Sequence, residues 1–149
     1  MTSKLLTSTA EKTFAIVFDQ REEAMGSLML FAIDNRVTAA HFTGIGGFSD
    51  VVLGYFDIET KAYVRIPVKE QVELVSLIGD ITLEKEKPLE KEKPMIHAHA
   101  VIAKRDGTTV GGHLLKAHVR PTLELILTES AVHLERKFDQ HSGLPLIKM

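Results

Sequence analysis

From residue 37 onward the chain is a succession of short β-branched or aromatic runs, preceded by a single helical pattern. The runs are "VTAAHFTGIG", "DVVLGYFD", "AYVRIPV", "EQVELVSLIGDITL", "PMIHAHAVIAKRD", "VGGHLLKAHV" and "TLELILTESAV". Each is bounded by Gly, Pro, Asp or charged turn residues, the punctuation that separates strands. Upstream, "TFAIVFD" alternates Phe14, Ile16 and Phe18 with smaller residues, as a first strand does. One helix and about seven strands predict an α+β fold with a mostly antiparallel sheet. A chain of 149 residues supports one sizeable core and divides poorly into two, so residues 1–149 are expected to form one domain.

The helix is expected to begin at Asp19, which stands at an N-cap position with Glu22 three residues on, as in a capping box. Met25, Leu28, Met29 and Ala32 then follow the i, i+3, i+4, i+7 spacing of a core-facing stripe, and Asn35 marks a stop. Gly26 costs such a helix about 1 kcal/mol relative to Ala. Its expected use is close packing against the sheet.

Two segments interrupt the strand pattern. "LEKEKPLEKEKP", residues 83–94, is a tandem hexamer with four Glu, four Lys and two Pro. It cannot be a central strand and is expected to form an exposed loop. In "HLERKFDQHSGLPLIKM", Ser142, Gly143 and Pro145 break any long element, and Leu144, Leu146 and Ile147 are expected to be hidden on the domain or between subunits.

Composition removes several functions. Eighteen Lys and Arg against 20 Asp and Glu give a formal charge of −2, and no basic cluster of the kind that neutralises phosphates stands in the chain. This argues against an autonomous DNA binder. Cysteine is absent, so disulfides, thiol nucleophiles and Cys-containing zinc sites are excluded, and a transition metal would need His and carboxylates. The amino terminus lacks an apolar run of signal-peptide length and no segment approaches a membrane span, so a cytoplasmic location and no membrane partner are expected.

Four of the seven histidines fall in "PMIHAHAVIAKRDGTTVGGHLLKAHV", residues 94–119. On a strand His97 and His99 share a face, about 6.6 Å apart between Cα atoms, and two such imidazoles can close on one ion. The "RDGTT" turn folds the next strand back and can bring His113 opposite this pair. Strict alternation puts His113 with Leu115 and Ala117, and His118 with Leu114 and Lys116, so both histidines reach one site only through a bulge. Gly111 and Gly112 before His113 supply either unusual torsions or room for a close approach. Three His ligands suit a metal site with an open position; hydrogen-bonded sheet histidines are the alternative. His41, His118, His133 and His141 are not expected to be ligands.

Glu124 alternates with Leu123, Leu125 and Leu127 and is expected to face away from the core, where a metal, an Arg or a neighbouring subunit could meet it. A salt bridge is its expected role. Gly44, Gly46 and Gly47 in "TGIGGFSD" match neither GxGxxG nor a Walker A loop and are expected to make a tight turn or bulge. No GxSxG nucleophile motif is present.

"TGIGGFSDVVLGYFD", "ELVSLIGDITL" and "PMIHAHAVIAKRDGTTVGGHLLKAHVRPTLELIL", in that order, resemble the PPC domain, the plant and prokaryote conserved domain, in its stand-alone prokaryotic form. The His-x-His, the following Gly-Gly-His-Leu and the Pro-Thr-x-Glu carry the resemblance. It implies an α+β fold with one main helix, a homotrimer, and, as in some prokaryotic members, a metal, zinc, at His97, His99 and His113. Plant relatives add AT-hooks that bind A·T-rich DNA, but the Arg-Gly-Arg-Pro core of that motif is missing here, and DNA is not an expected partner. The resemblance therefore implies a trimeric metal-binding interaction or regulatory module, with itself, a small ligand at the metal or another protein as partners. Two further readings are a zinc-dependent hydrolase or lyase, with Glu124 as the one candidate acid or base, and a DNA-binding protein by analogy with the plant relatives.

Overall fold

The computed structural model describes residues 1–5, 11–84, 92–131 and 134–148. Among these the order is β1 (Thr2–Leu5), β2 (Thr13–Phe18), α1 (Ala24–Asp34), β3 (Ala40–Asp57), β4 (Ala62–Val68), β5 (Val72–Glu84), β6 (Lys93–Ala103), β7 (Thr109–Glu129), β8 (Glu135–Asp139) and β9 (Leu144–Ile147). All nine described strands join one sheet. Every pairing between them is antiparallel except β5 with β8, which is parallel over Leu83↔Glu135 and Glu84↔Arg136. The sheet is thus mixed, and the strands exceed the expected seven because β1 and the β8–β9 hairpin are too short to leave an alternation.

Several expected strands are halves of longer ones. "VTAAHFTGIG" and "DVVLGYFD" become the single 18-residue β3, and "VGGHLLKAHV" and "TLELILTESAV" the 21-residue β7. Long strands stay paired only by bending, and the glycine segment supplies the bend: the β3–β5 register shifts between Gly44 and Gly46. A Cβ on Gly46 would lie 2.3 Å from the Thr122 carbonyl oxygen, and one on Gly47 2.4 Å from that of Arg120. The expected bulge is present, and glycine permits it because β7 passes too close for any side chain. β7 pairs with both β3 and β6, and β5 joins those two, so β3, β5, β6 and β7 form a closed ring of pairings.

The helix differs from its expected start. Glu22 does accept a hydrogen bond from the Asp19 N–H at 2.8 Å, but this pair closes a turn rather than a helix. Arg21 and Val119, and Val119 and Glu22, exchange backbone bonds first, which holds the chain against β7 until Glu23. Glu23 is the N-cap, accepting from the Met25 and Gly26 N–H groups. The buried stripe is Ala24, Leu28, Phe31 and Ala32, with Met25 and Met29 at its margin. Gly26 is exposed and faces no strand; a Cβ there would meet the capping carboxylate of Glu23 at 2.9 Å.

α1 packs on β6 and β7. Ile96, Ala98, Ala100 and Ile102 of β6 point into the core, and His97, His99 and Val101 point the other way. Leu123, Leu125 and Leu127 are buried and Glu124 is exposed, as the alternation predicts. Of the LEKEKP repeat, Leu83 and Glu84 end β5 and Lys93 and Pro94 begin β6; the expected loop between them falls on residues 85–91, outside the described residues. Leu146 and Ile147, expected to be hidden, are 44% and 38% exposed in the single chain. No helix among the described residues is long and apolar enough to cross a membrane.

Candidate metal centre

The β6–β7 register sets His99 directly opposite His113, and strand alternation adds His97 on the same face. A ligand nitrogen from each of the three lies within 4.8 Å of the other two. His97 Nε2 and His99 Nε2 are 3.2 Å apart. Two nitrogens bound tetrahedrally at zinc–imidazole distances stand about 3.3 Å apart, so this pair already has the required bite. Closing the remaining separation calls for side-chain movements of no more than about 1.5 Å. His113 Nδ1 is buried and has no hydrogen-bond partner. A buried ring nitrogen without a partner is costly, and a metal ion is one group that could satisfy it.

Gly112 makes this juxtaposition possible. A Cβ there would lie 2.7 Å from the Gly54 carbonyl oxygen, so the glycine serves a close approach of β3 rather than an unusual torsion. Immediately after, the β3–β7 register moves from Leu53↔Leu114 to Val52↔Lys116, a bulge that leaves Leu115 extra. Strict alternation therefore fails here: Leu114 and Ala117 are both buried, and His113 ends on the face that carries His118. His118 nonetheless lies five residues down β7, where its Nδ1 meets Asp50 Oδ1 at 2.8 Å.

Three residues without a metal-site signal in the sequence complete the surroundings. Tyr63 of β4 packs its ring against His113, centroids 4.9 Å apart. Asp80 of β5 is the Cα partner of His97, and its Oδ2 lies 3.7 Å from His97 Nδ1. Arg136 of β8, with a side chain 7% exposed, donates from Nη2 to both Asp80 oxygens at 2.8 and 3.0 Å, from Nε to Thr82 Oγ1, and from Nη1 to the Pro145 carbonyl. The same Nη2 is 3.3 Å from His97 Nδ1. Sequence could have flagged Asp80 as a polar residue on the His-bearing face, since "LIGDITL" alternates. Arg136 comes from a hairpin whose docking is purely tertiary.

Electrostatics favour neutral, ligand-competent imidazoles. Burial, and then the proximity of His97 and His99, lowers the pKa of His113 to about 4. Burial, followed by His97, lowers that of His99. Burial works to raise the Asp80 carboxyl, but the neighbouring His97, the bonds from Arg136 and the guanidinium charge outweigh it, and the group is held below its ordinary value. Glu124 belongs elsewhere: it lies eleven residues further along β7, beside Ile45, and has no ion-pair partner among the described residues. Within the described residues of the single chain it forms no salt bridge, and it is too far along the strand to serve the histidines of its own chain as acid or base. His41 is on β3 and His141 in the β8–β9 turn, neither in the cluster; His133 lies outside the described residues.

Among the described residues, a closed ring of long bent strands, one helix and a three-histidine cluster on the outer face define an α+β architecture with a candidate metal site. Residues 6–131 match the Plants and Prokaryotes Conserved (PCC) domain, and the chain belongs to that family, the PPC family that its sequence resembles. A plant- and prokaryote-conserved (PPC) protein from Pyrococcus horikoshii is 30% identical, with 99% of this chain and 95% of that one covered at a TM-score of 0.83. A metal-containing protein from Archaeoglobus fulgidus is 29% identical over 100% and 99% of the two chains, also at 0.83. A candidate DNA-binding protein from Ralstonia eutropha is 25% identical over 91% and 90%, at 0.81. Comparison with curated proteins returned no match.

Proposed function

We propose that this PPC-domain chain is a homotrimer that holds zinc at His97, His99 and His113 and acts as an interaction or regulatory module. The convergence of the three imidazoles, one with a buried unpartnered nitrogen, carries the metal reading. The metal-containing relative from Archaeoglobus, similar over the whole chain, supports it. Zinc bound there would supply a Lewis-acidic cation with room for one more donor. His97, His99 and His113 would hold it, and Asp80 would face the far nitrogen of His97.

An exposed apolar face supports self-association. Val17, Ile45, Val75, Ile78 and Ile126 are each 40–61% exposed and border a cleft of about 460 Å³. Ile78 is the Cα partner of His99, so this face runs up to the histidines. A second copy covering it would remove contiguous apolar surface from water, and the site would stand at the margin of the interface. A hydrolase or lyase would need an acid or base beside the metal. With Glu124 distant and Asp80 held by Arg136, the interaction reading is the better supported. The charge of −2 argues against DNA.

The test is elemental analysis with light scattering on tag-free protein. About one zinc per chain in a trimer is expected for wild type. His97→Ala should weaken metal binding by more than about 100-fold, since even residues behind the ligands account for 10–100-fold. A metal-free trimer indistinguishable from the variant would remove the metal reading; a monomer over a wide concentration range would remove the trimer.

A further inference from the structure

The β8–β9 hairpin lies beyond residue 131, outside the stretch that matches the family, yet it places a buried cation beside a candidate ligand. Its backbone link to the rest of the sheet is slight, two parallel residue pairs with β5. The side-chain link is stronger. Arg136 reaches Thr82, Asp80 and His97 on one side and the Pro145 carbonyl of its own hairpin on the other. The far turn of the hairpin is tied as well, by Lys61 Nζ donating to the Gln140 carbonyl.

The proton count at Arg136 Nη2 is informative. It carries two hydrogens and has three acceptors within 3.3 Å: both Asp80 oxygens and His97 Nδ1. Accepting from arginine requires Nδ1 to be unprotonated, which leaves a neutral His97 with its hydrogen on Nε2, the nitrogen beside His99 Nε2. Ligation through Nε2 demands the opposite tautomer, with the hydrogen on Nδ1. Arginine cannot accept that hydrogen, and Asp80 Oδ2, at 3.7 Å, can after a shift of under about 1 Å. The two Nη2 hydrogens are then both free for the two Asp80 oxygens. In that state the docked guanidinium holds the Asp80 carboxylate in place, and the carboxylate so held accepts from His97 Nδ1 and keeps Nε2 free for the metal.

Resting on the metal reading above, we propose that Asp80 is a positioning residue that fixes the metal-binding tautomer of His97 and, through Arg136, couples metal binding to docking of the β8–β9 hairpin. Coupling between two sites is reciprocal, so a metal that tightens the hairpin is itself held more tightly by a docked hairpin.

The experiment measures zinc affinity by chelator competition, together with amide hydrogen exchange of β8 and β9 with and without zinc. Wild type should show slower exchange at Lys148, whose N–H donates to the Glu135 carbonyl, when zinc is added. Asp80→Asn should bind zinc about 10–100-fold more weakly. At zinc concentrations that saturate this variant, hairpin exchange should no longer respond. Because Asp80→Asn leaves the buried Arg136 charge alone, the double variant Asp80→Asn, Arg136→Met, which removes both charges, is measured beside it and should behave alike. Wild-type affinity in these variants, or a wild-type hairpin indifferent to zinc, overturns the coupling while leaving the metal centre intact. Wild type that takes up no zinc overturns the metal reading and the coupling with it.

Discussion

A histidine enclosed by protein and by two further imidazoles resists protonation, and His113 is in that position, with its pKa at about 4. This has a consequence for the metal-free protein. The unfolded chain protonates this residue near pH 6.5, whereas the folded one does so only near 4. Between those values the unfolded state binds more protons, so stability is fully present above about 6.5 and falls as pH drops toward 4. His113 is half-buried, and the contribution after discounting for solvent is on the order of 1–2 kcal/mol. Urea unfolding in chelator at pH 4.5 and 7 should show this loss, and His113→Gln, with nothing to titrate, should show a smaller one. Equal pH slopes for the two proteins would mean that His113 is not shielded. At this scale the candidate ligands were legible in the sequence, because two residues apart on a strand is a local statement. Tyr63 and Arg136 were not legible, since each reaches the histidines from another strand, and Asp80 was legible only as an outward polar residue whose register with His97 the sequence does not carry.

At the scale of elements, β3 and β7 do most of the positioning, and both depend on bulges. The bulge near Gly46 lets β3 bend around the core, and the one at Leu115 sets which face His113 occupies. Gly47 is buried where β7 passes close on one side and β5 on the other: a Cβ would lie 2.4 Å from the Arg120 carbonyl oxygen and 3.2 Å from that of Val72. Backbone on both sides cannot yield as a flexible side chain would. Gly47→Ala should therefore cost roughly 2–3 kcal/mol, or about 5–10 °C in Tm by the scaling for a domain of this size. Thermal unfolding checks it, and an unchanged Tm would mean that the two strands can separate freely. Turn residues and periodicity showed where strands begin and end. They could not show that neighbouring runs join into one strand, because a glycine bulge and a glycine turn look alike in sequence.

For the whole molecule, the outer face is left with apolar residues exposed in the single chain. The core side is served by α1 and the buried strand residues, whereas Ile45, Ile78 and Ile126 stand exposed around Glu124 and the cleft. If copies of the chain cover this face, a charge introduced there should separate them without unfolding the domain. Ile45 is 61% exposed in the single chain, so Ile45→Asp removes little from the core. Light scattering is expected to give a trimer for wild type and a monomer for Ile45→Asp at an unchanged circular dichroism spectrum. A variant that remains trimeric would place the subunit contact elsewhere.

The sequence by itself determined the α+β class, the strand alternation that turns His97 and His99 outward, the family, and the absence of thiol and disulfide chemistry. These depend on residue type and short-range spacing, which the chain carries wherever it folds. Tertiary structure alone decided that His113 stands opposite His99, that His118 and Glu124 lie elsewhere, and that Asp80 and Arg136 back His97. Cross-strand register depends on where bulges absorb a residue and on which strands meet, and both are settled by packing of the whole chain rather than by any segment of it.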